Sequence, residues 1–367
     1  MYFDYNATHP ICNEVVDTIT DILNVSGNPS SAHKHGRFAK DRIEEAREII
    51  ADYLGISYKE LIFTSGGTES NVLGLLGYCS LNLEADDKVL YSGLEHPSLL
   101  GVIHQLKSQG LNCVKVNCNT SGSIDMDDFK SKLVDAKLVT IMYVNNETGI
   151  QNPVGEIGKL CAKNKVIFHC DCVQALSKTA IDLSNIDLAS FSGHKIGGLK
   201  GVGFLFKKSH IKLSPLFPKS TQEKGHRGGT ENVTGILSMA SAIKSDAKLD
   251  YVRDLRDYFE NQLSERIECV QISGKSETRV GNTSNVYFPD CSGESLIFSL
   301  DMKGICVSLG SACAAGSISP SHVLLEMGFS ESRAKSTVRF SFGKYNTKEE
   351  VDFLLDNLDQ IINRIKK

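Results

Sequence analysis

The chain has 367 residues, more than one hydrophobic core ordinarily serves, so two subdomains are expected. Apolar residues make up 41% and charged residues 23%, with a formal net charge of -4, a balance that suits a globular enzyme. The absence of any long run of one sign excludes a nucleic-acid or anionic-membrane footprint.

The N-terminus lacks the basic start and apolar core of a signal peptide. No apolar stretch reaches the roughly 20 residues of a membrane span. Eleven cysteines without a CxxC pair or zinc-like spacing read as mostly free thiols in a cytoplasmic, reducing setting, and no metal site is expected.

In chain order, residues 35–54 place Ile43, Ala46, Ile49, Ile50, Tyr53 and Leu54 on one stripe, which predicts an amphipathic helix. Residues 61–64 predict a short buried strand that runs into Ser65-Gly-Gly-Thr68, with a helix from Glu69 to about Cys79. Strands follow at 138–144 and 166–170 with a helix at 156–164 between them, then strands at 188–192 and 201–206. That alternation predicts an α/β fold with a mostly parallel sheet covered on both faces. Beyond Asp250 the texture changes to a charged helix, strands around 283–287 and 304–309, and an amphipathic helix over 348–367. We therefore expect a large domain over 12–250 and a smaller α+β domain built from 1–11 and 251–367.

Chemistry concentrates in three of these stretches. Residues 64–71, TSGGTESN, join a strand to a helix through two glycines, where open N–H groups, the helix dipole and the Thr68 hydroxyl favour an anion. A capped glycine turn would explain that stretch alone. Asp171 ends a predicted strand, the place where parallel sheets bind ligands, although it could equally cap the next element. Lys195 lies in a glycine-rich loop beyond it and suits an amine nucleophile for a carbonyl. Together, a phosphate cradle, a strand-end acid and a downstream lysine are the parts that pyridoxal phosphate requires. Cys170 and Cys172, which flank Asp171, are explained more simply by alternation on a buried strand than by a metal.

The chain resembles the cysteine desulfurases of the NifS/IscS type, within the fold-type I pyridoxal-phosphate enzymes, nearly from end to end. The residues that carry the likeness are Asp4–Thr8, Gly27–Ser31, Phe63–Ser70, Glu95-His96, Val144–Gly149, Asp171 with Gln174 and Ser192–Lys195. Arg227–Asn232, Gly310–Cys313 and Val338–Phe340 continue it. The resemblance implies a seven-stranded, mostly parallel sheet and a covalent link between the cofactor and Lys195. It implies that Asp171 pairs with the ring nitrogen, that Gln174 donates to the ring oxygen, with Asn146 near it and near the substrate carboxylate, and that His96 stacks on the ring as acid or base. Gly67, Thr68, Ser192 and His194 would bind the phosphate. Thr230 would reach the cofactor of a second subunit, which implies a homodimer with shared sites. Arg339 would grip the carboxylate of L-cysteine.

By the same resemblance Cys313, in the stretch 309–320, attacks the substrate sulfur and carries a persulfide to a scaffold or other sulfur acceptor, and contacts an iron–sulfur cluster at most in passing. Its small neighbours Gly310, Ala312, Ala314, Ala315 and Gly316 suit a thiol that must reach more than one place. His9, Leu199 and His226 depart from the family pattern without removing a proposed group. An aminotransferase or selenocysteine lyase on the same fold, and a non-catalytic scaffold, are the rival readings.

Overall fold

The computed structural model describes residues 1–23, 26–245, 247–310 and 319–365. Among the described residues, ten strands form two sheets: β1 (Leu61–Thr64), β2 (Lys88–Ser92), β3 (Asn112–Val116), β4 (Ala136–Thr140), β5 (Ile167–Asp171), β6 (Leu188–Ser192), β7 (Gly203–Lys207), β8 (Gln271–Ile272), β9 (Thr283–Tyr287) and β10 (Thr337–Ser341). The first seven make one sheet in the order β1-β7-β6-β5-β4-β2-β3. Only β7 runs against the others; β3, β2, β4, β5 and β6 pair in parallel.

The cause is visible in the residues. β1, β6 and β7 are buried along their whole length, so they are apolar runs rather than alternating patterns. Helices Gly67–Asn82 and Val154–Lys163 pack on this sheet, and the core joins Phe168, Phe191 and Phe204 to Ile157 and Met239. Phe191 and Phe204 stack at 4.4 Å between ring centroids across the β6–β7 pair.

The second sheet, β10-β9-β8, is antiparallel and has its own core. Phe259 meets Phe340 at 4.9 Å and Phe342 at 5.4 Å, and Phe342 in turn meets Phe3 at 5.5 Å. Helices Leu249–Arg266 and Lys348–Ile365 cover it, and the first residues of the chain are woven into it. Among the described residues, no helix is long and apolar enough to cross a membrane.

Two expectations are corrected. Residues 304–309 are not a strand; they make isolated bridges, Tyr2 with Cys306 and Ser308 with Arg339. The N-terminal segment takes their hydrogen bonds one rung at a time, Phe3 N–H reaching the Cys306 carbonyl at 2.9 Å, so no continuous ladder forms. The strand expected over 138–144 leaves its ladder at Thr140, because Asn145–Gly149 fold into a turn held by the Asn145 side chain, which accepts from Glu147 N (2.9 Å) and Thr148 N (3.1 Å).

The sheet also buries a titratable group. His169 on β5 is completely buried between the hydroxyls of Thr140 (2.9 Å) and Ser190 (3.1 Å), and burial lowers its pKa from 6.5 to about 3. As pH falls the unfolded chain takes the proton first, so the stabilisation is complete above pH 6.5 and is lost from there toward pH 3. Urea unfolding between pH 7 and 4 should show about 1.4 kcal/mol lost per pH unit from this group, and His169→Gln should flatten the profile by that amount.

Candidate active site

A cavity of about 380 Å³ opens where the carboxyl ends of β5 and β6 meet the second sheet. One wall is the turn after β1. Gly66 caps the helix Gly67–Asn82 at φ 151 with no side-chain cap, so the first N–H groups face the cavity unclaimed by a capping oxygen. A Cβ on Gly67 would meet Val173 Cγ2 at 2.6 Å and close the cradle. Thr68, Ser192 and His194 line the same wall, and burial brings the His194 pKa down to about 4, leaving a neutral imidazole. Glu69 steadies the turn from outside: it accepts from Ser65 N at 2.8 Å and from Arg227 Nε at 2.8 Å.

Asp171 ends β5 with 4% of its surface exposed. Its Oδ2 accepts from Asn71 Nδ2 at 2.8 Å and its Oδ1 from Val173 N at 2.9 Å, which fixes the carboxylate at the cavity floor. The carboxylate thus caps the turn that follows β5 and also lines the cavity. So it is with His96, the cap of the helix Pro97–Ser108: its Nδ1 accepts from Ser98 N at 3.1 Å while the ring lines the cavity. That bond leaves the proton of the neutral ring on Nε2. Burial lowers the His96 pKa, against the pull of Asp171 and with help from Lys195.

Lys195 follows β6 in a single 3-10 turn, Gly193–Lys195. Its Nζ donates to the carbonyl oxygens of Asn6 (2.7 Å) and Ala7 (2.8 Å). Gln174 Nε2 donates to the same Asn6 oxygen at 3.0 Å. Arg339, on β10 and 1% exposed, donates to Asp4 Oδ1 (2.8 Å) and to the carbonyls of Asn146 (2.9 Å) and Gly310 (3.3 Å). Its Nε has no hydrogen-bond partner among the described residues, a buried donor left for an anion.

The structure thus brings Gly67, Thr68, His96, Asn146, Asp171, Gln174, Ser192, His194, Lys195 and Arg339 to one cavity. Thr230 is not among them; it is exposed on this chain. Cys313 lies outside the described residues. Gly310 and Ser321, on either side of that stretch, both touch the cavity wall: Gly310 through Arg339, and Ser321 by donating to the buried Glu147 carboxylate.

Sequence reasoning missed Asn6, Glu147, Lys178 and His322. Asn6 and Glu147 lie inside recognised motifs, which was their only signal. His322 donates from Nε2 to the Glu95 carbonyl at 3.0 Å and lines the cavity, and nothing local marked it.

These groups fit pyridoxal phosphate: the open cradle a Cβ would fill suits its phosphate, the Asp171 carboxylate its ring nitrogen, and the Lys195 amine its aldehyde.

The aminotransferase class-V family model matches residues 1–354. The chain is 37% identical to the cysteine desulfurase IscS of Dictyoglomus turgidum, covering all of this chain and 95% of that protein. It is 36% identical to a cysteine desulfurase of Nostoc sp., with 100% and 94% covered. Among solved structures, a NifS-like protein superposes with a TM-score of 0.92 at 32% identity over 99% of both chains. SspA in complex with cysteine superposes with a TM-score of 0.84 at 32% identity, over 94% of this chain and 99% of that one.

Proposed function

Given that the chain belongs to the aminotransferase class-V family, among its cysteine desulfurases, we propose that it draws the sulfur of L-cysteine onto Cys313 as a persulfide and releases L-alanine. The sulfur then passes to an acceptor protein, for iron–sulfur cluster assembly or for other sulfur-containing molecules. The observation that carries this reading is the convergence of Lys195, Asp171, His96 and Arg339 on one cavity whose rim is touched by both described flanks of the Cys313 stretch.

Pyridoxal phosphate supplies an aldehyde for the substrate amine and a ring that withdraws electrons from the carbon beside it. The protein does the rest. Thr68, Ser192, His194 and the Gly67 backbone anchor the phosphate. The Asp171 carboxylate would keep a proton on the ring nitrogen, and Gln174 would offer an N–H to the ring oxygen. Lys195 Nζ would hold the aldehyde and, with substrate in the site, would move the proton at the substrate's Cα. His96, neutral and carrying its proton on Nε2, would lie beside the ring and exchange protons there.

Arg339 binds the substrate carboxylate through its unpartnered Nε and by loosening the 3.3 Å contact with Gly310. Asn146 adjoins that carboxylate. Cys313 loses its proton and its sulfur attacks the substrate sulfur. An S–S bond forms as the C–S bond breaks, and the carbon takes the electron pair and a proton to become the methyl of alanine.

A homodimer in the cytoplasm, with Thr230 reaching the neighbouring site, completes the proposal. Incubation with L-cysteine and a reductant should yield sulfide and alanine in equal amounts. Cys313→Ala should lose sulfide release by about 1000-fold or more and keep its bound cofactor. Alanine formation that ignores the substitution would refute the assigned nucleophile.

A further inference from the structure

Behind Lys195, on the side away from the main cavity, lies a second lysine that the proposed chemistry does not use. Lys178 lines a smaller cavity of about 50 Å³ that shares Lys195 with the larger one. Its Nζ donates to Asn6 Oδ1 at 2.9 Å and to Gln174 Oε1. Both acceptors are amide oxygens, and among the described residues no carboxylate pairs with it. Ser177, just before it, has φ 56, a left-handed conformation uncommon for a residue with a side chain, in the turn that carries Lys178.

Two consequences follow from who accepts. With Oε1 held by Lys178, the Nε2 of Gln174 is the end left to donate, and it turns to the Asn6 carbonyl at 3.0 Å. That carbonyl is the one Lys195 Nζ meets at 2.7 Å. The Asn6 side chain, fixed by Lys178 and by Asn282 Nδ2 at 3.0 Å, also donates to the Asn146 carbonyl at 3.1 Å and to Thr283 Oγ1 at 2.8 Å. One nitrogen thus takes part in setting the direction of both amides that frame Lys195.

We propose that Lys178 is a positioning residue of this site, which orients the Asn6 and Gln174 amides and, from behind, lowers the proton affinity of the nitrogen that Lys195 contributes. The inference rests on the reading that Lys195 carries the cofactor and that Gln174 faces the ring oxygen. Its physical basis is twofold. A donor on the ring oxygen weakens that oxygen's hold on a proton at the Lys195 nitrogen, and a neighbouring ammonium repels such a proton directly. The charged and titratable groups around Lys178 are Lys195, Arg339, His9 and His194, with Tyr5, Cys12 and Lys344 lining the same small cavity. Burial, with Lys195 and Arg339 beside it, pushes the Lys178 pKa well down, so its effect through the amides persists when its charge is lost.

The test is a pH titration of the cofactor's visible absorption in the loaded dimer, for wild type, Lys178→Met and Lys178→Arg. Methionine keeps the length of the side chain and removes the donor. Its midpoint should rise by about one pH unit or more, and arginine should recover more than half of the shift. A cofactor-loaded Lys178→Met with the wild-type midpoint overturns the proposal, even if its stability has dropped, because a purely structural lysine would leave the titration in place. Should methionine prevent folding, Lys178→Leu, which also removes the donor, replaces it with the same expected direction, and an unmoved midpoint there is equally fatal. Borohydride trapping and mass spectrometry of the wild type separate the two readings. No adduct on Lys195 defeats the site assignment; an adduct there with unmoved midpoints defeats only the role of Lys178.

Discussion

Lys195→Ala should lower sulfide release from L-cysteine by about 1000-fold or more. Among the described residues it is the one lysine that lines the main cavity. Its nitrogen is oriented at that cavity by two backbone carbonyls. Lys178 is close but is tethered to Asn6 and Gln174 from the other side, so it offers no substitute amine. Borohydride should trap a pyridoxyl group on a peptide containing Lys195 in the wild type and on no peptide in the variant. Retention of a tenth of the activity would show that another group serves as both anchor and proton carrier.

Glu223→Ala should destabilise the fold by about 3–5 kcal/mol, the cost of leaving a buried charge without its partner. Arg47 and Glu223 expose only 3% and 4% of their side chains. The carboxylate accepts from Arg47 Nη2 at 2.7 Å, from Arg47 Nη1 at 3.0 Å and from Phe63 N at 2.8 Å, while the guanidinium lies 4.6 Å from the centre of the Phe63 ring. Glu223 itself adopts φ 44, so the partner bonds hold a conformation the residue would otherwise avoid. Removing them leaves the Arg47 charge with the part-exposed Glu44 at 3.1 Å and the Leu61 carbonyl at 2.9 Å.

The segment that Glu223 pins continues to Arg227 on Glu69, at the phosphate cradle, so the variant should also retain less cofactor. Urea unfolding and cofactor content measure the two effects. The double replacement Arg47→Met with Glu223→Leu should recover most of the stability, since it leaves no lone charge behind; failure to recover any would mean that the pair's worth lies in its geometry.

How far the sequence speaks depends on what kind of order a residue belongs to. β1 and β6 were legible to the residue, because strands buried on both faces write themselves as short, largely apolar runs, whereas β9, read to the same bounds, opens on three buried polar residues. β2 and β3 were not: both are mixed in polarity, and β3 (Asn112–Val116), at the sheet's edge, is buried at only one residue. The helix Val233–Lys244 escaped because it is buried on most of its circumference and shows no polar stripe. In the site, Thr68, Asp171 and Lys195 could be found because each stands at a strand end with a local reason to be there. Asn6, Lys178, Glu147 and His322 come from four distant segments, and only the tertiary fold makes them neighbours.

The weaving of the first residues into the second sheet bears on how the molecule is made. Ser341 N–H donates to the Phe3 carbonyl at 2.8 Å, Asn6 N–H to Ser341 Oγ at 3.0 Å, and Arg339 to Asp4 at 2.8 Å. Residues 3–6 therefore wait until residues 339–341 have been made before they find these partners. Until then the large sheet can form with Asp171 at the cavity floor, but the wall that Arg339 supplies is missing, so vitamin capture should follow the synthesis of β10.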